Sequence, residues 1–244
     1  MDTSAFLDEL VAGCRATDGV TTLAVFGSSS SAHAGRRDEW SDLDFAVFAT
    51  PSRADAVAAE WLFLPRRDEL VLTAREYDSG GAALYADGTV LEFGAGHPWD
   101  VSDPTCEVLL GGADLRRVAP PPPPSPENAV RLFLVKLLIG MGRVRRGEVL
   151  AGGAHIRCHA LGALAAAVRG RLTPAASDES NPFDALRRFE LACPELGARL
   201  AAAVELPAES AGLALYRFAR AELEPGWAGF PSRAADVVAR RLGW

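Results

Sequence analysis

The sequence predicts an α/β (α+β) N-terminal half built on a small mixed sheet, followed by an all-α helical bundle. Three observations carry that prediction. Two apolar runs rich in β-formers, residues 21–26 and 43–48, flank a serine-rich turn, and a hairpin signal follows at 82–94. Five consecutive prolines, Pro120 to Pro124, fit neither a helix interior nor a central strand and mark a stiff spacer. Beyond them the apolar residues recur at helical spacing to the end of the chain. The boundaries that follow are 1–118, a Pro-rich linker at 119–126, and 127–244.

Composition limits the function classes. At 244 residues the chain is long enough for one large or two small domains. Its formal charge of −7 argues against a nucleic-acid backbone as main partner, because such proteins usually show a basic face, and is compatible with a cationic one. Cys14, Cys106, Cys158 and Cys193 are scattered, with neither a C-x-x-C pair nor the spacing of a zinc site, so reduced and mostly buried thiols are expected. Residues 1–8 lack a basic stretch followed by an apolar core, and no apolar run is long enough to span a bilayer. A cytoplasmic protein is the default expectation. Monomer and homodimer are both open.

Along the chain, Phe6, Leu7, Leu10 and Val11 place a helix at 2–16. A strand is expected at 21–26. Residues 29–34 are expected to open a helix, and Arg36 and Arg37 in the following loop either touch phosphate or are solvated; the second reading is preferred. A helix is predicted at 52–64 and a short strand at 70–73. The turn Asp87-Gly88 joins two arms, 82–85 and 90–94. Past the prolines, Ser125 and Pro126 read as N-cap and first position of an apolar helix through Met141. Further helices are expected at 153–169, 182–203, 209–223 and 231–242. His155 and His159 would share a helix face, as ordinary core or surface histidines.

Chemistry concentrates between Gly27 and Asp44. Successive strand residues point to opposite faces, so Asp42 and Asp44 share one face while Leu43, Phe45 and Val47 take the other. Two such carboxylates repel one another, and a divalent cation removes that cost. Mg²⁺ suits them, because it takes oxygen ligands and fills its remaining positions with water and substrate phosphates. Gly27 lets a phosphate approach the backbone, and free N–H groups with the Ser28 hydroxyl can hold its oxygens. Glu92, flanked by Leu91 and Phe93, is either an exposed side chain on an edge strand or a third carboxylate facing the pair; the second reading is preferred.

Gly27-Ser28, thirteen residues (29–41), then Asp42-Leu43-Asp44 and an apolar strand resemble the Gly-Ser … Asp-x-Asp signature of the DNA polymerase β-like nucleotidyltransferases. The segment Asn181 to Glu190 also resembles part of the helical domain of lincosamide and related antibiotic nucleotidyltransferases. The resemblance implies a catalytic domain at 1–118 and a helical domain at 127–244. It implies that Asp42, Asp44 and Glu92 are the catalytic and metal-binding carboxylates, Glu92 as ligand or proton acceptor, with Asp100 the runner-up. It implies nucleotide contacts from Gly27, Ser28 and Lys136. Lys136 is the one lysine of the chain, and its other reading is a stem lying over apolar surface.

The expected activity is Mg²⁺-dependent transfer of a nucleoside monophosphate from a nucleoside triphosphate, ATP first, to a hydroxyl of a small molecule. A cationic antibiotic of the lincosamide or aminoglycoside kind leads. Two alternatives stay open: the same chemistry on a protein or tRNA, or a non-catalytic nucleotide-binding module.

Overall fold

The computed structural model describes residues 3–173, 181 and 183–244. The chain separates into two compact units, Met1–Pro120 and Pro121–Trp244. The fold class is as the sequence predicts: a mixed sheet with helices in the first unit, and helices in the second.

The first unit opens with α1 (Thr3–Ala16) and β1 (Val20–Val25). Then come β2 (Leu43–Ala49), α2 (Ala54–Glu60), β3 (Leu70–Tyr77), β4 (Gly80–Tyr85) and β5 (Val90–Gly96). The short strands β6 (Asp100–Val101) and β8 (Arg116–Arg117) pair with each other on either side of β7 (Glu107–Gly111) in the chain. The main sheet has the order β3-β4-β5-β2-β1-β7. Within it β2 and β5 run parallel, and the other neighbours are antiparallel.

Alternation divides this sheet into two unlike faces. Leu23, Val25, Leu43, Phe45, Val47, Leu91, Phe93 and Ala95 pack with Phe6, Leu10 and Cys14 of α1 and with Ala54 and Val57 of α2. The opposite face offers Ala24, Ala46 and Phe48, covered by Val101 and Cys106. β2 is therefore buried on both sides over most of its length, which is why Phe45 to Ala49 reads as an unbroken apolar run. Its first turn of side chains, around Asp44, lies beyond that second apolar cover.

Several boundaries differ from the sequence reading. The expected helix at 29–34 is two 3₁₀ turns, Gly27–Ser29 and Ser31–Arg36. Serine hydroxyls compete for backbone partners and weaken a helix there. The 52–64 helix stops at Glu60, because Trp61 takes a left-handed conformation at φ 51° that caps it. β5 is interior rather than an edge, lying between β4 and β2. β7 went unread from sequence, its apolar core being only Val108 to Leu110.

In the second unit, the Ser125 hydroxyl accepts from the Asn128 N–H at the start of α3 (Pro126–Arg145). The stripe Val130, Phe133, Leu134, Leu137 and Met141 is its buried side. The expected helix at 153–169 is a longer continuous run: α4 (Val149–Ala154), a π-helical turn (His155–Ala160) and α5 (Leu161–Leu172). A Cβ on Gly152 would overlap Val144 and the Gly140 carbonyl, so the two runs cross at van der Waals contact there. The expected 182–203 helix is α6 (Phe189–Ala192) and α7 (Pro194–Glu205), divided at Cys193-Pro194; Pro182 lies outside the described residues. α8 (Ala208–Glu222) and α9 (Ser232–Leu242) complete the unit. Among the described residues no helix is long and apolar enough to cross a membrane.

Cys14, Cys106 and Cys193 are buried and Cys158 is exposed, all as free thiols. Burial pushes the Cys14 thiol up to about 12 and also raises Cys106 and Cys193. A thiolate is the reactive form. The native protein at pH 8 is therefore expected to release one rapid equivalent with a thiol-disulfide reagent. The remaining thiols should react only on unfolding, and Cys158→Ser should abolish the rapid phase.

Candidate active site

Register accounts for the site. β2 and β5 run parallel with Asp44 directly opposite Glu92, the flanking pairs being Leu43 with Leu91 and Phe45 with Phe93. Those flanking residues belong to the helix-covered face, so Asp44 and Glu92 emerge together on the other. Asp42, two residues before Asp44, has the same orientation at the entry of the strand. Each of the three carboxylates offers an oxygen, and these oxygens lie within 4.8 Å of one another. Asp42 and Asp44 are half-buried and Glu92 is exposed. Neither the Asp42 nor the Glu92 carboxylate makes an ion pair or hydrogen bond among the described residues.

Asp100 sits elsewhere. It is paired with Arg116 through both carboxylate oxygens across β6 and β8, and that guanidinium holds its carboxyl below the usual carboxylate range. Among the described residues, Asp42, Asp44 and Glu92 are the group whose carboxylates come close enough together to hold a metal ion.

The serine turn lies against this group. β1 is antiparallel to β2, and the Phe26 N–H donates to the Asp44 carbonyl, so Gly27 turns away from the sheet beside Asp44. Gly27 adopts φ 55°, the left-handed region that favours glycine. A Cβ there would stand 3.6 Å from Asp44 Oδ2, an ordinary contact, so strain rather than collision decides the cost. Gly27→Ala is accordingly expected to lose about 1–2 kcal/mol of stability, read from the urea unfolding midpoint at unchanged slope.

The Gly27 N–H, expected to face a phosphate, instead donates to Thr105 Oγ1 at 2.6 Å. Thr105 in turn donates from its hydroxyl and its N–H to Asp103 Oδ1. The Ser30 N–H returns to the Gly27 carbonyl, and the Ser31 N–H is taken by Glu107. What remains is Ser28, whose N–H and hydroxyl have no partner among the described residues. Ser29 is 4% exposed, and its buried hydroxyl also lacks a partner.

Arg37, read from sequence as solvated, clamps the turn: its Nε and Nη2 donate to the Ser28 carbonyl at 2.9 and 2.6 Å. Sequence reasoning missed Thr105, Asp103 and Arg37. The Asp-Pro-Thr run carries a turn signature that could have flagged the first two; nothing local pairs Arg37 with a carbonyl nine residues earlier. Lys136 lies half-buried on α3 in the second unit.

The donor set fits a hard divalent cation. Three carboxylate oxygens converge, two of the carboxylates are without protein partners, and the adjacent turn offers the Ser28 N–H and hydroxyl to an anion. No protein-family model matches the chain, and no curated protein matches it. Among solved structures, the crystal structure of an aminoglycoside 6-adenyltransferase from Bacillus subtilis is similar at a TM-score of 0.34 and 10% identity. That match covers 100% of this chain and 92% of the other. At that level of likeness the chemistry of the site rests on its own side chains.

Proposed function

We propose that the protein is a nucleotidyltransferase, with residues 1–118 as catalytic domain, 119–126 as linker and 127–244 as helical domain. It would move a nucleoside monophosphate from a nucleoside triphosphate, ATP first, to a hydroxyl of a small cationic molecule. The observation that carries this reading is the β2–β5 register, which sets Glu92 beside Asp44 and Asp42 next to a turn with unused donors. The Gly-Ser … Asp-x-Asp spacing supports it independently.

In this reading Asp42 and Asp44 would hold Mg²⁺. When bound, the ion supplies positive charge against the charge developing on attacking and leaving oxygens. Ser28 binds triphosphate oxygens through its N–H and hydroxyl. Arg37 and Thr105 act indirectly, fixing the turn that presents Ser28. Glu92, the exposed carboxylate of the three, takes the proton of the acceptor hydroxyl. That oxygen bonds to the α-phosphorus as the bond to the bridging oxygen breaks, and pyrophosphate leaves. The net charge of −7 favours a cationic acceptor, and an aminoglycoside or lincosamide is the leading class.

The test is pyrophosphate release from ATP and GTP with Mg²⁺ across aminoglycosides, lincosamides and a tRNA pool. Release triggered by one small-molecule class, with the nucleoside monophosphate recovered on that acceptor by mass spectrometry, is the expected result. Release with tRNA alone would overturn the small-molecule assignment. Nucleotide binding without release on any acceptor would overturn the transferase reading.

A further inference from the structure

The second unit holds a group of basic side chains that the proposed chemistry does not use. It is centred on the π-helical turn His155–Ala160, a widened turn of the kind that often marks functional sites. His155 is 9% exposed. Arg143 Nη1 on α3 lies 3.4 Å from its Nδ1, and the His159 ring lies 4.7 Å away between centroids. A guanidinium only donates, so His155 Nδ1 accepts and the proton of the neutral ring resides on Nε2. That Nε2–H is buried and has no partner among the described residues. A buried donor left unmet costs about 1–3 kcal/mol, and its missing complement is an acceptor.

The charges around it have one sign. Burial first, then Arg143, His159 and Lys136, lower the proton affinity of His155 below the ordinary histidine range. Among the described residues of α3, α4, α5 and α8, the helices packed against the turn, no unpaired acid stands beside His155. The acid of α3, Glu127, is in its first turn, while α4 and α5 carry none. On α8, Glu209 pairs with Arg145 and Glu222 with Arg199. Within the turn itself, Arg157 is committed to the Val204 and Leu206 carbonyls, and on α5 Arg169 is committed to those of Ala185 and Arg187. His159 is exposed, and Arg143 and Lys136 are half-buried, so the rim of the cluster is open to solvent.

We propose that Arg143, His155 and His159, with Lys136 at their edge, form a binding site for a phosphate-type oxyanion within the helical unit. The anion would accept from the guanidinium and the imidazoles, and it would stabilise the doubly protonated His155 ring, so that binding takes up a proton. The site is built without the three carboxylates and stands apart from the reading given above. Free pyrophosphate and the triphosphate of a nucleotide present the same chemistry.

The test follows the ring C–H resonances of the histidines by NMR against pH, in metal-free buffer, with pyrophosphate or with ATP. The His155 signal is assigned by its loss in His155→Gln. Either anion is expected to move its titration midpoint upward by about 0.5 or more on the pH scale. In Arg143→Gln the midpoint should no longer respond, and in Asp44→Asn the response should persist. A shift with pyrophosphate names the inorganic anion as sufficient; a shift with ATP alone names the nucleotide. His159→Gln, at an exposed position, provides a second variant should Arg143→Gln not fold. A midpoint that ignores both anions, or one that still moves equally in Arg143→Gln and His159→Gln, would overturn the proposal.

Discussion

Asp44→Asn is expected to lower nucleotidyl transfer by about 10³-fold or more, which corresponds to about 4 kcal/mol of lost transition-state stabilisation. The substitution keeps the shape of the side chain and removes its charge. Asp44 lies where β2 leaves its apolar cover, between Glu92 across the parallel ladder and Gly27 at the end of β1. A neutral amide there leaves Asp42 and Glu92 as the only carboxylates of the group. Repulsion of those two by the Asp44 charge is removed and the side-chain shape is kept, so the fold should be retained, and circular dichroism with thermal melting checks that directly. A folded Asp44→Asn protein with transfer near the wild-type rate would remove the metal assignment.

Glu92→Gln is expected to separate two effects. If Glu92 accepts the proton of the attacking hydroxyl, its loss should reduce kcat by about 10²–10⁴-fold while the KM for nucleotide changes only a few-fold. A ligand role would instead shift the Mg²⁺ concentration needed for half-maximal rate, and raising Mg²⁺ would restore activity. Asp100→Asn serves as the control: its carboxylate is occupied by Arg116, so the rate should stay within a few-fold. A wild-type rate in Glu92→Gln would exclude Glu92 as the base.

Much of the site was legible because its information is local. Strand alternation alone sets Asp42 and Asp44 on one face, and the two-residue spacing cannot be satisfied otherwise within a strand. Glu92 was legible only as an anomaly, a charge among Leu91 and Phe93. What gives it a place is the register that sets it opposite Asp44, and pairing between residues 48 apart in sequence leaves no trace in either segment. The Gly27 turn shows the reverse failure. Its composition correctly marks a turn, yet the Gly27 N–H is consumed by Thr105, a residue of a later loop. The serine-rich stretch 29–34 forms 3₁₀ turns where a helix is expected, since hydroxyl side chains favour short 3₁₀ turns over a continuing helix. His155 and His159 were correctly given a common face, but the π-helical turn and the Arg143 contact depend on how α3 packs against its neighbour at Gly140 and Gly152.

The central claim is that Asp42 and Asp44, with Glu92 beside them, form a divalent-cation site that works on a nucleotide. Mn²⁺ uptake, followed by the electron paramagnetic resonance signal of the free ion, tests it most directly. The titration is run with an ATP analogue whose α–β bridge resists cleavage. Wild-type protein is expected to take up Mn²⁺ in a nucleotide-dependent manner, and the Asp42→Asn/Asp44→Asn double variant to bind it at least about tenfold more weakly with an unchanged circular dichroism spectrum. Equal uptake by the two folded proteins would contradict the account.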